Sequence, residues 1–413
     1  MTRSQATAPR RSNLWEKAFL KAVESLPHGL LRLSLPDGSE RIFGTRGTGP
    51  EADMAIRDPG FFRRCFLYGD IGLAESYMDG LWDTSSIERV IAWAILNIEE
   101  VPGRPGRGGS VPLNILQAVN RFRHLLRPNS LSISRRNIAE HYDLGNDFYR
   151  LWLDPTMTYS SALFSSPDQT LESAQSAKYE RLCTQLRLTS SDHLLEIGCG
   201  WGGMAEHAAR RHGCRVTCIT ISREQQRFAS ERIARAGLSD RVEIVLEDYR
   251  KIHGQFSKIV SIEMMEALGD RYLPVFCSRL HELLRPDGIV ALQYITVPDS
   301  RHRNLRNGVD FIQKHIFPGS LLLSVGRVNE ALNATGDLFL HDLKDMGLSY
   351  ARTLHCWWET FNARSEEVKA LGFDKRFLRK WNYYLQYCEA AFATRNISVV
   401  QAVYTRPNNP LLS

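Results

Sequence analysis

A glycine-rich turn constrains the fold of this chain more than any other feature. Residues 194–203 read Leu-Leu-Glu-Ile-Gly-Cys-Gly-Trp-Gly-Gly, an apolar strand followed by glycines at alternate positions, Gly198, Gly200 and Gly202. Glycine lets a ligand lie against the backbone, and a helix starting near Met204 would direct its N-terminal amides at that ligand. The pattern predicts a nucleotide-cofactor loop, although similar turns also serve as plain structural connections.

The details of the turn favour one class of cofactor. Its spacing differs from the dinucleotide fingerprint G-x-G-x-x-G, and the acidic residue Glu196 stands on the strand just before the glycines. These differences favour S-adenosylmethionine over a nicotinamide dinucleotide.

Strand and helix patterns alternate from Leu171 onward, which indicates a parallel sheet with helices on both faces. The predicted strands are 193–197, 215–219, 242–246, 257–262 and 288–295. The predicted helices are 171–186, 203–212, 224–236 and 272–284. The fold class is therefore α/β, a Rossmann-like doubly wound sheet.

Polar residues follow the second and third predicted strands, where such sheets bind nucleotides. Thr220, Ser222 and Gln225 can bond ribose hydroxyls, although Ser222 could equally be a helix N-cap. Asp248 could accept a hydrogen bond from the adenine amino group, and the ring of Tyr249 could pack on the base. A capped loop is the alternative interpretation of the last two residues.

The length of 413 residues indicates more than one domain. We expect a disordered tail at 1–12 and a smaller α+β accessory domain at 13–100. A linker rich in proline and glycine, followed by a basic amphipathic helix, should occupy 101–139, and the cofactor-binding domain 140–413.

The linker region concentrates positive charge. Between Val101 and Ala139 the chain has no acidic residue and carries seven arginines, namely Arg104, Arg107, Arg121, Arg123, Arg127, Arg135 and Arg136. A basic amphipathic helix can lie on an anionic lipid surface, where each basic side chain contributes about 1 kcal/mol. A packing helix with a solvated face is an equal alternative, and nucleic acid is disfavoured because no binding motif accompanies the charge.

Cysteine usage and hydropathy exclude other classes. The eight cysteines form no C-x-x-C pair, so neither a metal centre nor a disulfide framework is expected. No stretch reaches the length of a membrane span, and no secretory pattern is present. We expect a cytoplasmic protein that associates peripherally with the inner face of the membrane.

Several motifs resemble the cyclopropane fatty acid synthase family over about residues 55–405. They are 61–64 (Phe-Phe-Arg-Arg), 72–80 (Gly-Leu-Ala-Glu-Ser-Tyr-Met-Asp-Gly), 141–149 (His-Tyr-Asp-Leu-Gly-Asn-Asp-Phe-Tyr), the glycine turn and 316–319 (Ile-Phe-Pro-Gly). The resemblance implies a class I methyltransferase with an added N-terminal domain, acting on unsaturated acyl chains of membrane phospholipids.

The resemblance also implies roles for individual residues. Tyr159 and Ser160 match the residues that touch the methionine part of the cofactor, and Leu195 to Gly203 match the main loop. Thr220 to Gln225 match the ribose segment, with Asp248 on the adenine side. Cys388 matches a cysteine counted among the family's active-site residues, although direct methyl transfer needs no nucleophilic thiol.

The reaction sets further requirements. An alkene is a weak nucleophile, so the methyl must be held in line with it in a dry slot, and the resulting carbocation needs stabilisation. Aromatic faces and a buried carboxylate can supply it. The candidates are Glu266, Tyr159, Tyr350, Phe311, Phe317 and Trp357. An insertion at about 298–325 should form the acyl tunnel or lid.

Ring closure also needs a base, for which the family uses bound bicarbonate. Tyr350, Glu266 and Ile295 keep the family pattern, but Ser161 replaces the usual cysteine and Gln293 the usual histidine. Ala267 also replaces a histidine. Neither replacement in the anion site can shuttle a proton as histidine does.

We therefore expect an S-adenosylmethionine-dependent C-methyltransferase whose product is a methyl-branched or methylene chain. A conventional cyclopropane synthase, with bicarbonate held by serine and glutamine, is the leading alternative. A small-molecule methyltransferase and a catalytically silent lipid-binding protein are the others. The expected partners are an anionic bilayer surface and an unsaturated phospholipid. A homodimer, the position of the double bond and the head group stay open.

Overall fold

The computed structural model describes residues 14–98, 144–305 and 310–412, and the chain divides into two compact units. The described residues up to 98 form the first unit together with residues 373–394, and the others form the second. The predicted tail, the linker and the arginine-rich helix lie outside the described residues.

The first unit is a small mixed sheet with helices. Its helices are α1 (Leu14–Glu24), α2 (Gly60–Met78) and α3 (Ile87–Asn97), and its strands are β1 (Leu30–Ser34), β2 (Glu40–Gly44), β3 (Glu51–Ile56) and β4 (Trp82–Asp83). The strand order is β2-β1-β3-β4, with β1 antiparallel to β2 and parallel to β3. Phe61, Phe62 and Trp82 are fully buried in this unit, and the predicted α+β character is confirmed.

The second unit contains the predicted alternation. Its helices are α4 (Asn146–Arg150), α5 (Leu171–Gln185), α6 (Gly203–His212), α7 (Arg223–Arg235), α8 (Leu273–Leu283), α9 (Asp299–Leu305), α10 (Phe311–His315), α11 (Val325–Thr335), α12 (Gly347–Ala363) and α13 (Ser365–Ala370). Its strands are β5 (His193–Ile197), β6 (Arg215–Thr220), β7 (Val242–Leu246), β8 (Phe256–Ile262), β9 (Leu284–Thr296), β10 (Phe339–Asp345) and β11 (Ser398–Thr405).

These strands form one seven-stranded sheet in the order β10-β11-β9-β8-β5-β6-β7. The strands from β9 to β7 are parallel, and β11 lies antiparallel between β9 and β10. The chain runs from β5 outward to β7 and then returns to β8 on the other side of β5. Ligands bind such sheets at this switch point, beyond the carboxyl ends of the strands. The predicted Rossmann-like sheet is confirmed.

Both faces of the sheet are covered by apolar side chains. Leu194 and Leu195 are adjacent on β5 and fully buried, yet they belong to different hydrophobic clusters. Since successive side chains of a strand point to opposite faces, this split is expected for a strand covered on both sides. Packing on both faces holds β5 in place, and with it the start of the glycine turn.

One helix joins the first unit from the far end of the sequence. Helix α14 (Lys375–Ala393) packs against α2 and α3, and the guanidinium of Arg379 lies 3.9 Å from the ring centroid of Tyr77. The sequence analysis instead assigned the whole range 140–413 to the cofactor-binding domain. In the part of the chain that the structure describes, no helix is long and apolar enough to cross a bilayer.

Candidate active site

The glycine turn has the backbone conformation that its sequence demands. Gly198, Gly200 and Gly202 have φ angles of 85°, 49° and 83°, which side chains rarely adopt. A Cβ atom at Gly198 would lie 2.9 Å from Met264, and one at Gly202 would lie 3.1 Å from Ala229. At Gly200, by contrast, no described atom lies within 4 Å of such a Cβ. Gly198 and Gly202 therefore allow close packing, whereas Gly200 faces open space that a ligand can fill.

Two residues of β5 that shortly precede the turn are buried. Leu195 is fully buried, and the buried carboxylate of Glu196 accepts a hydrogen bond from the Cys218 thiol at 3.2 Å. Burial raises the pKa of Glu196 to about 8. Both residues support the loop from beneath, and direct contact with a cofactor stays a prediction.

At the end of β6, three predicted ribose-binding residues are joined by hydrogen bonds. The hydroxyl of Ser222 accepts from the backbone N–H of Gln225 at 3.3 Å, which is the N-cap considered as the alternative. The Thr220 hydroxyl donates to the side-chain oxygen of Gln225 at 2.9 Å. The segment is thus ordered locally at the carboxyl end of β6, and its contact with a ribose stays a prediction.

At the end of β7, Asp248 and Tyr249 are both buried. Asp248 makes a bidentate ion pair with Arg250, with both N···O distances at 2.7 Å. Tyr249 packs edge-on against Phe276, and its buried hydroxyl has no hydrogen-bond partner among the described residues. Burial raises the pKa of this phenol to about 12. The unpaired hydroxyl leaves a donor available for a bound group.

Aromatic side chains gather around Tyr159. The ring centroid of Tyr159 lies 5.4 Å from those of Trp152 and Trp357, 5.5 Å from Tyr149 and 6.3 Å from Phe317. We call these five residues the aromatic cluster. Aromatic faces attract cations, so this set can stabilise positive charge in an apolar setting.

Polar contacts connect this cluster to the glycine turn. The indole N–H of Trp201 donates to Asn146 Oδ1 at 2.8 Å, which joins α4 to the turn. The guanidinium of Arg232 donates to the carbonyl oxygens of Thr156 and Trp201 at 2.7 and 3.1 Å, and it also pairs with Glu206 at 2.7 Å. These contacts position the segment that carries Tyr159 and Ser160.

The carboxylate of Glu263 is surrounded by hydrogen-bond donors. Its Oε1 accepts from the backbone N–H of Ser161 at 2.8 Å and from Nε2 of Gln293 at 2.7 Å, and its Oε2 accepts from the hydroxyl of Tyr350 at 2.8 Å. We call these four residues, together with Glu266, the acidic pocket. Glu263 was not among the predicted site residues, because a glutamate after a strand has no distinctive sequence signal.

Glu266 is the second carboxylate of the acidic pocket. Its Oε1 accepts from the backbone N–H of Ile295 at 2.5 Å, while its buried Oε2 has no hydrogen-bond partner in the described segments. Burial, followed by the nearby charge of Glu263, raises the pKa of Glu266 to about 8. Ala267 ends the short 3₁₀ turn that carries Glu266.

A buried lysine supports the segment that carries Ser160. Lys178 donates to the Ser160 hydroxyl at 2.8 Å, and burial lowers its pKa to about 7 against the attraction of Glu263. The sequence did contain a signal for it. Ala174, Lys178 and Leu182 follow at intervals of four on α5 and are buried on one face.

The predicted anion site is assembled, but bicarbonate does not fit it. Ser161, Gln293 and Tyr350 direct their donors at the Glu263 carboxylate, and Ile295 directs its N–H at Glu266. The hydroxyl of Ser161 donates to the Ala162 carbonyl at 2.9 Å and is turned away. A protein carboxylate therefore takes the donors that were expected to hold bicarbonate.

The insertion predicted at about 298–325 reaches this region. The backbone N–H of Leu321 donates to the Glu266 carbonyl at 2.8 Å, and Phe311 and Ile316 are buried. The insertion thus contacts the acidic pocket through the backbone of Glu266. Its role in holding an acyl chain stays a prediction.

Cys388, the remaining predicted site residue, lies on α14 and so belongs to the first unit. All other predicted site residues belong to the second unit. A role for its thiol in catalysis stays a prediction.

One group of metal-compatible side chains occurs in the described residues. Donor atoms of Cys183, His207 and His212 lie within 4.8 Å of one another, and both histidines also pair with Glu180. His212 ends α6, whereas the glycine turn precedes that helix, so this group is separate from the acidic pocket.

Comparison with known proteins shows which family this chain matches. The family model described as mycolic acid cyclopropane synthetase matches residues 129–402. The chain is 38% identical over 393 residues to the tuberculostearic acid methyltransferase UfaA1 of Mycobacterium tuberculosis, covering 93% of this chain and 89% of that one. It is 36% identical to the cyclopropane-fatty-acyl-phospholipid synthase of Escherichia coli strain K12, covering 87% and 89%.

A solved structure of the same kind matches the fold. The mycolic acid cyclopropane synthase CmaA1, complexed with SAH and CTAB, superposes with a TM-score of 0.62 at 30% identity, covering 66% of this chain and 98% of that one. Because the two sequence relatives cover much more of the chain than this structure does, their similarity extends into the first unit.

Proposed function

The chain belongs to the mycolic acid cyclopropane synthetase family, and we propose that it methylates the double bond of an unsaturated acyl chain in a membrane phospholipid, with S-adenosylmethionine as donor. The observation that carries the proposal is the position of the acidic pocket beside the glycine turn. Met264, next to Glu263 in the chain, lies directly under Gly198. The cofactor loop and the carboxylates are therefore adjacent.

The residues around the glycine turn fit S-adenosylmethionine as a ligand. Bound at the turn, it would supply an electrophilic methyl group on a positively charged sulfur. Gly200 leaves space for it, the N-terminus of α6 follows, and Glu266 offers an unpaired carboxylate oxygen. Structures of relatives with bound S-adenosylhomocysteine, such as CmaA1, support the same assignment.

The surroundings suit an alkene substrate. Transfer leaves a positive charge on the acyl chain, and the aromatic cluster can stabilise it through the faces of Tyr159 and Trp357. Buried Phe311 and Ile316 help exclude water, which would otherwise capture the cation. A small-molecule methyltransferase would need polar side chains that recognise its substrate, and the aromatic cluster offers few.

Labelled methyl transfer tests this proposal. The full-length protein is incubated with vesicles of a mono-unsaturated phosphatidylethanolamine and S-adenosylmethionine that carries a deuterated methyl group. We expect the acyl chain to gain labelled carbon in mass spectrometry, and matched vesicles of a saturated phospholipid to gain none. Label that appears only in the head group, or in no lipid, would refute the proposal.

Two products can follow from one cation. Loss of a proton from the added methyl closes a cyclopropane ring, whereas loss from a neighbouring chain carbon leaves a methyl-branched alkene. The names of the two relatives point to different products at nearly equal identity, 38% and 36%. We propose the open-chain alkene, because the anion site departs from the family pattern. Separation of ring and alkene isomers in the same assay decides the point.

We further propose that the protein reaches its substrate by binding peripherally to the anionic cytoplasmic leaflet. The arginine-rich segment supports this step, because its seven arginines are uninterrupted by acidic residues. Replacing Arg121, Arg123 and Arg127 by glutamine should weaken sedimentation with phosphatidylglycerol vesicles, and so should raised salt. Unchanged sedimentation under both conditions would make the segment a packing element.

A further inference from the structure

Glu263 occupies a backbone conformation that a glutamate rarely adopts. It is the first residue after β8, with a φ angle of 48°, and its backbone N–H donates to the Gln293 carbonyl at 2.7 Å. A side chain in this left-handed region strains the backbone, because its Cβ approaches the neighbouring carbonyl oxygen. Strain of this kind persists where the surrounding structure holds it, and it often marks a functional position.

The contacts of Glu263 are those of a bound anion. Its carboxylate has the same planar O–C–O group as bicarbonate, and it accepts from Ser161, Gln293 and Tyr350. A free anion added here would compete for the same donors and be repelled by the buried carboxylate. The protein therefore carries its own anion at the point where the family resemblance implies an external one.

Within the pair of carboxyl groups, the negative charge is favoured on Glu263. Three donors and the charge of Lys178 stabilise the Glu263 carboxylate, whereas Glu266 accepts one hydrogen bond, from Ile295. Burial nevertheless raises the pKa of Glu263 above its ordinary value, against the effect of these donors. A carboxylate that is ionised, yet more basic than usual, is suited to accept a proton.

We propose that Glu263 is the base of the reaction and replaces bicarbonate, an inference that rests on the proposed function. A carbon–hydrogen bond breaks on the transferred methyl or on a neighbouring chain carbon. Its electron pair forms the third ring bond or the new double bond, and the proton adds to a carboxylate oxygen of Glu263. The resulting carboxylic acid returns the proton to solvent when the product leaves.

Removal of bicarbonate is the first test. Turnover by the full-length protein on the unsaturated vesicles should be unchanged within about twofold between carbonate-depleted buffer and buffer with added bicarbonate. Glu263→Gln keeps the shape of the side chain but removes the base. Its turnover should fall at least about 100-fold, a typical contribution of a general base. Binding of S-adenosylhomocysteine, measured by calorimetry, should match wild type and so report a folded protein.

Rescue by an external anion is the second test. Glu263→Gly relieves the strained φ angle and leaves the donors of Ser161, Gln293 and Tyr350 facing an empty space. This variant should be inactive in carbonate-depleted buffer and regain activity when bicarbonate or formate is added. Arg395→Gly is the matched control, because Arg395 also has a positive φ angle, of 55°, but an exposed side chain. It should behave as wild type.

The outcomes separate the two proposals. Wild-type turnover that requires bicarbonate, or a Glu263→Gly variant that is fully active without it, would overturn the role of Glu263 and leave lipid methylation intact. A wild-type protein that methylates no lipid would overturn the proposed function, and the role of Glu263 with it.

Discussion

Replacement of Glu196 by glutamine should make the protein more stable at alkaline pH. Glu196 lies beneath the glycine turn with 3% of its surface exposed, and burial raises its pKa from 4.5 to about 8. Hydrogen bonds from the Cys218 thiol and the backbone of Ala205, with the charge of Lys178, oppose this shift only in part. Glutamine has nearly the same shape and never ionises.

The sign of this stability change follows from the pKa of Glu196 in the folded and in the unfolded chain. The unfolded chain loses the Glu196 proton above about pH 4.5, whereas the folded protein holds it until about pH 8. The stability that this protonated carboxyl contributes is therefore full below pH 4.5 and is lost as the pH rises through 8. At about 1.4 kcal/mol per pH unit, the loss is about 4 kcal/mol between about pH 5 and pH 8.

Urea unfolding followed by far-ultraviolet circular dichroism measures this effect. The free energies of unfolding of wild type and Glu196→Gln are compared across this pH range. Glu266 is present in both proteins, so its titration largely cancels in the difference. The variant should gain stability relative to wild type as the pH rises. A difference that changes by less than about 0.5 kcal/mol would refute the reasoning, since it would mean that Glu196 ionises alike in both states.

Three further predictions concern the site and its support. Gly200→Val should weaken binding of S-adenosylhomocysteine at least about 100-fold in calorimetry, because its side chain enters the ligand space. The control is Gly237→Val, since Gly237 also has a positive φ angle and no atom within 4 Å of an added Cβ, and this variant should keep the wild-type affinity. Equal affinities of the Gly200→Val and Gly237→Val variants would contradict the prediction. Trp357→Leu should lower kcat on unsaturated lipid about tenfold without changing that affinity, by loss of a cation–π contact; an unchanged kcat would exclude it. Arg232→Met should lower the free energy of unfolding by about 2–3 kcal/mol, because it leaves two carbonyl oxygens and Glu206 without their donor.

Five of the seven strands of the central sheet could be predicted from the sequence, whereas β10 and β11 were not expected as strands. Strands at 193–197 and 242–246 and the helix at 203–212 have the bounds that were expected. Their signals are local, since apolar runs, glycine turns and helical spacing each act over a few residues. Strand β9 begins four residues earlier than expected, at Leu284, which was predicted to end the preceding helix.

Other features depend on contacts between distant segments. Glu263 becomes recognisable only when β9 brings Gln293 beside it and α12 brings Tyr350, and no local pattern encodes that meeting. The same holds for α14, whose amphipathic pattern indicates a helix but not its partners. Tyr77 and Arg379 are separated by 302 residues, and their contact is one of those that join α14 to α2 and α3 of the first unit.

The late position of α14 determines when each unit can be completed during synthesis. The first unit starts at the N-terminus yet lacks a helix until residue 393 has been made, and the second lacks β11 until residue 405. A ribosome that stalls before the last forty or so codons would thus release a chain in which neither core is closed. Conversely, a fragment that stops after α3 would expose the apolar surfaces that α14 covers. Such a fragment should aggregate unless the segment 373–394 is supplied separately as a peptide.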